Sequence, residues 1–105
     1  MMFDIKNLNH TLPDDWVALS SEKRLTFTEE LKNELCGSHG LFGKNLVAIA
    51  RRESADDFLF IDEDNNNQCF IVHLTWRKET KPDWPWTTTF RDFSDFLENW
   101  KKHFD

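Results

Sequence analysis

The stretch Gln68 to Trp76 constrains the fold more than any other part of the chain. Its alternation sends Phe70, Val72, Leu74 and Trp76 to one side and Cys69, Ile71, His73 and Thr75 to the other. Both faces are apolar until His73. Such a strand avoids water only inside a sheet covered on both sides, which requires packed layers on each face. Two neighbouring segments, Asn45 to Arg52 and Asp57 to Asp62, are also rich in β-branched or aromatic residues and bounded by polar turns. The short polar connection Asp62 to Gln68 suits a hairpin, so an antiparallel meander is expected. Weak alternation over Met1 to Asn9 suggests a short strand or arm.

Helical periodicity supplies the covering layers. After the potential caps Ser20 and Ser21, Phe27, Leu31 and Leu35 recur every four residues, with Leu25 at the stripe's edge. Gly37 is expected to end that helix in a left-handed cap. Near the other end, Phe93, Phe96, Leu97, Trp100 and Phe104 share one helical face. Asp92 is its expected N-cap, and Lys101 and Lys102 fall in the last turn, where the dipole favours cations. The expected fold is α+β: an N-terminal helix, a three- or four-stranded antiparallel meander and a C-terminal aromatic-faced helix. At 105 residues the chain is expected to be a single domain over 1–105.

Composition excludes several functional classes. With 10 Phe and 5 Trp the chain is too aromatic to be a disordered acidic tail. The longest apolar run, Leu46 to Ala50, is far below the roughly 20 residues that span a bilayer. Asp4 interrupts any basic-plus-apolar leader, and two cysteines, Cys36 and Cys69, do not make a disulfide framework. Reduced thiols and a cytoplasmic location are expected. A net charge of −6 argues against a dedicated nucleic-acid binder, whose affinity rests on Lys and Arg.

The short motifs resolve mostly into turns. Gly37, Gly40 and Gly43-Lys44 evoke a phosphate loop, but Ser38 stands where its first glycine belongs and Asn45 replaces the magnesium-binding hydroxyl. The order is also helix then strand. Asp62, Asp64 and Asn66 start like a calcium loop, yet Asn67 and His73 occupy the positions that need glycine and glutamate. Cys36 and His39 offer two zinc ligands, while Cys69, His73, His10 and His103 form no second close pair. No metal and no cofactor are expected. His73 is the best acid–base candidate, with Asp57, Thr75 or Cys69 as neighbours, although a buried, hydrogen-bonded histidine is the default. Trp84-Pro85-Trp86 fits two uses, packing back onto the sheet or anchoring a partner, and packing is the default.

Charge is distributed unevenly. Residues 45–76 carry −4 of the −6, and their acids are Glu53, Asp56, Asp57, Asp62, Glu63 and Asp64, with no base among them. In a meander, Glu53 to Asp57 and Asp62 to Asp64 lie at opposite ends of the second strand, too separated for one metal site. Such loops can steer a basic partner.

The succession Leu41-Phe42-Gly43, Ala48-Ile49-Ala50-Arg51-Arg52, Asp56-Asp57-Phe58-Leu59-Phe60, Val72-His73-Leu74-Thr75-Trp76 and Trp84-Pro85 resembles a family of small bacterial proteins. The likeness runs from about Leu31 to Phe96. It departs at Asn65 to Asn67, where the family's turn usually contains glycine. The resemblance implies no enzyme activity, cofactor or catalytic residue. The expected function is that of a non-catalytic acidic binding protein, at its most concrete an immunity protein that neutralises a basic bacterial toxin such as a nuclease. The expected contact residues are Glu53, Asp56, Asp57, Asp62, Glu63, Asp64, Trp84 and Trp86, facing a protein partner rather than nucleic acid or membrane. The alternatives are a small enzyme using His73 as acid or base, or a homodimeric housekeeping module.

Overall fold

The computed structural model describes residues 12–53, 55–65 and 67–103. The expected strand over residues 1–9 and the side chains of Asn66 and Phe104 lie outside them. The architecture is α+β, a five-stranded antiparallel meander with a helix on each face. In chain order the elements are β1 (Trp16–Ala18), α1 (Ser21–Glu34), β2 (Leu46–Arg52), β3 (Asp57–Asp62), β4 (Gln68–His73), β5 (Trp86–Phe90) and α2 (Phe93–Asn99). A 3-10 turn, Trp100–His103, follows α2. The spatial order is the sequence order, β1-β2-β3-β4-β5.

The strand count and order are corrected: the sheet has five strands rather than three or four, and β1 precedes the first helix. Three residues are too few to show alternation in β1, and β5 (Trp-Thr-Thr-Thr-Phe) lacks apolar periodicity. Its β-branched threonines nonetheless suit a pleated edge. Nor does Gly37 cap α1. Leu35 does so in extended conformation (φ −70°, ψ 127°), its amide still donating to the Leu31 carbonyl at 3.1 Å. The Leu35 side chain is itself buried. The left-handed glycine is Gly43, at φ 85°.

Each sheet face has its own core. Toward α1 lie Leu31, Leu46, Ala48, Phe58, Phe60, Phe70, Val72 and Leu74, with Phe27 packed beside them. Toward α2 lie Trp16, Ile49, Ala50, Leu59, Ile61, Cys69, Ile71, Phe90, Phe96 and Trp100. A β-bulge between Ala48 and Ala50 turns Ile49 and Ala50 onto that second face together. Ser20 caps α1 by accepting from the Lys23 amide, and Asp92 caps α2 by accepting from the Asp95 amide at 2.8 Å. At the β3–β4 turn Asn67 takes a left-handed φ of 57°, a conformation asparagine tolerates better than most residues.

Candidate functional site

Strand register decides which side chains share a neighbourhood. Trp16 pairs with Arg52, Asp57 with His73, and His73 with Trp86. Residues paired across antiparallel strands project to one face, so these five line the α2 side at one end of the sheet. The β2–β3 turn closes the same end, and the Glu53 amide donates there to the Asp15 carbonyl at 2.9 Å. Exposed Asp14, Asp15 and Glu53 and half-buried Asp56 therefore share the end of the sheet at which β5 begins. Three strand spacings separate β5 from β2, about 14 Å.

Trp84 and Trp86 are each 45% exposed, so both lie at the surface and not in the core. The segment holding them is anchored from beneath. Buried His39 donates from Nε2 to the Pro85 carbonyl at 2.9 Å and accepts the Leu41 amide at Nδ1 at 3.0 Å. Both ring nitrogens are thereby committed to structure, and no lone pair is left for the zinc site that Cys36 and His39 suggested. Among the described residues no group of three or more His, Cys, Asp or Glu could hold a metal.

The six acids of the middle segment divide. Asp57 and Asp62 are buried. Asp57 accepts from His73 Nδ1 at 3.0 Å and lies 3.7 Å from the Arg52 guanidinium. Asp62 accepts the Asp64 amide at 3.0 Å and lies 4.0 Å from Lys44 Nζ. Asp56 pairs with Arg51 at 3.2 Å. The hairpins fold Lys44, Arg51 and Arg52 back onto acids that look unopposed along the sequence. Exposed Glu63 and Asp64 stand at the opposite end of β3 from Glu53 and Asp56.

His73 is half-exposed, with its ring oriented by Asp57. This is two-thirds of an acid–base relay, and the missing part is a reacting group. Cys69 lies buried in the core beneath α2, and burial pushes its thiol up to about 12, aided by the Asp92 and Asp95 charges. Thr75 donates its hydroxyl to Glu34 at 3.0 Å. Cys36, by contrast, has its thiol pulled below the usual range by the Ser38 hydroxyl. Iodoacetamide should therefore alkylate Cys36 in the native protein and leave Cys69 intact until urea unfolds the chain; mass spectrometry reads the difference.

Sequence reasoning missed Glu34. It is fully buried, and its carboxylate accepts from the Thr75 amide (2.8 Å), the Thr75 hydroxyl (3.0 Å) and the Trp76 amide (2.9 Å). These bonds end β4 by diverting its backbone to α1, and Trp76 follows at φ 62°. One turn earlier, a hydrogen bond to Glu34 raises the Glu30 carboxyl to about 7, reinforced by burial and by Glu34's charge. Two acids at i and i+4 repel unless they share a proton, and that spacing was the available signal. The folded chain keeps a Glu30 proton that the unfolded chain releases near 4.5, so stability should fall as pH rises between those values. Glu30→Gln should flatten this slope in urea titrations across that range.

No family model matches the sequence, and no curated protein and no solved structure matches it. Among the described residues no helix is long and apolar enough to cross a membrane.

Proposed function

We propose that this chain is a non-catalytic binding protein that covers a basic protein surface with one end of its sheet. Its most concrete form is an immunity protein that blocks a cationic bacterial toxin such as a nuclease. The observation that carries this reading is that exposed Trp84 and Trp86 lead into β5 at the same end of the sheet as Asp14, Asp15, Glu53 and Asp56, about 14 Å across it. Tryptophan supplies large contact area and dominates binding hot spots, and a surrounding acidic rim steers a cationic partner. Anchoring through His39 and Pro85 lowers the entropy lost on binding. A span of about 14 Å fits well within a standard interface of roughly 800 Å² per partner.

The test is to purify the product of a basic toxin gene adjacent to this one and measure binding and inhibition. Stoichiometric inhibition is expected. A toxin that stays fully active beside a saturating amount of this protein would sink the reading.

An acid–base enzyme is the second reading, and it draws on the Asp57-oriented, half-exposed imidazole of His73. It requires a substrate that brings its own reacting group, since Cys69 and the Thr75 hydroxyl are engaged elsewhere. His73→Gln separates the two readings: loss of a turnover with toxin inhibition retained would establish an enzyme activity.

A further inference from the structure

Exposed Glu53 and half-buried Asp56 flank the β2–β3 turn, whereas Lys32, Arg77 and Lys78 come together on the α1 side of the sheet. A groove of about 380 Å³ lies between the last turn of α1 and the loop following β4, lined by Glu30, Lys32, Asn33, Trp76, Arg77 and Lys78. We propose that this groove binds a nucleoside monophosphate, its base stacked on Trp76 and its phosphate held by Lys32, Arg77 and Lys78.

The indole is placed for stacking. Trp76 is 48% exposed, yet its ring is braced edge-on by Phe27 at 5.9 Å and Phe58 at 6.1 Å. Its backbone holds φ 62°, a conformation costly for an aromatic residue and fixed here by the buried Glu34 carboxylate. An exposed ring kept in a strained conformation by a buried anchor is pre-organised to receive a planar ligand. Any nucleobase can stack on it.

Three cations on the same walls define the other half of the ligand. Lys32 comes from α1, and Arg77 and Lys78 from the loop. Arg77 is oriented through Nε by the Glu79 carboxylate at 3.3 Å, and Glu79 is itself tied to α1 by its backbone N–H, which donates to the Glu34 carbonyl at 3.0 Å. A guanidinium held this way suits a phosphate. Asn33 adds an amide that can both donate and accept. Glu30 is the one acid on the walls, and its carboxyl, hydrogen-bonded to Glu34 and raised to about 7, is largely protonated below that pH, which limits repulsion of the phosphate. The cavity size falls within the range of small-molecule sites, roughly 300–1,000 Å³.

The experiment is calorimetry, with ligand-observed NMR, on the full chain with AMP, adenosine and inorganic phosphate as probes at pH 6.5 (chosen, roughly, so that Glu30 keeps its proton). AMP should saturate with a Kd of about 1 mM or below, and adenosine and phosphate should each bind about tenfold more weakly. Trp76→Leu and Lys78→Glu should each weaken AMP about tenfold. Lys78 is exposed and carries no fold contact described above, so its variant keeps the test valid if Trp76→Leu unfolds. Absence of saturation by AMP, or unchanged AMP binding in Lys78→Glu, overturns the proposal. So does affinity for oligoadenylate that rises with chain length, which would assign the groove to single-stranded nucleic acid.

Discussion

Glu34→Ala should destabilise the chain by about 3–5 kcal/mol, because it strands three donors that fold around one buried carboxylate. Hydrogen bonds to a charged acceptor each contribute about 1.5–3 kcal/mol, and the partners here are two backbone amides and a hydroxyl at the junction of α1 with the end of β4. For a domain of this size such a loss lowers the thermal midpoint by about 15 °C or more. Glu34→Gln keeps one acceptor oxygen, enough for the two Thr75 donors, but sets an NH2 group against the Trp76 amide, so it should cost about 1–3 kcal/mol. Urea denaturation of the two variants gives both values. Equal stability of Glu34→Ala and the parent would show that the carboxylate does not hold the junction.

Trp100→Ala should cost about 3–5 kcal/mol, a large share of the 5–15 kcal/mol typical of whole domains. The ring sits beneath β1 and β2, meeting Trp16 edge-on at 5.6 Å, with the Arg52 guanidinium 5.3 Å from its centre. Its removal opens a cavity next to Phe96 and Trp16, which also pack edge-on at 5.3 Å. The three-residue strand β1 joins this core chiefly through Trp16, so its amides should exchange hydrogen fastest in the variant. Trp100→Phe retains an aromatic there and should recover more than half of the loss. A loss below about 1 kcal/mol in Trp100→Ala would mean that the C-terminal turn does not close the core.

What the sequence revealed and what it hid follow one physical division. The meander, the two-faced strand over Cys69 to Val72, the Asp92 cap and the apolar face of Phe96 and Trp100 all rest on local periodicity or on neighbours three and four residues apart. Those features are legible from residue spacing. Glu34 bonds to Thr75 across 41 residues, and His39 to Pro85 across 46, so no local pattern announces either. The same distance effect changed the reading of the acids. Along the chain Asp57 and Asp62 look like loop charges, and only the register of β3 against its neighbours buries them beside His73, Arg52 and Lys44. The strand β5 was hidden for another reason, since its threonines carry β propensity without hydrophobic alternation. Trp84 and Trp86 went from the default of core to surface because Pro85, between them, is the residue that turns inward.

The binding reading stands or falls on whether the two ends of the sheet differ. Calorimetric titration of the adjacent basic toxin against three variants measures this. Trp84→Ala with Trp86→Ala should weaken binding about 30-fold or more, as paired hot-spot tryptophans do. Glu53→Gln with Asp56→Asn should weaken binding at low salt and reduce the salt dependence of the affinity. Glu63→Gln with Asp64→Asn, at the far end of β3, should leave affinity unchanged within about twofold. If the far-end pair weakens binding as much as the tryptophan pair, or if the tryptophan pair has no effect, the Trp84–Trp86 end is not the binding surface.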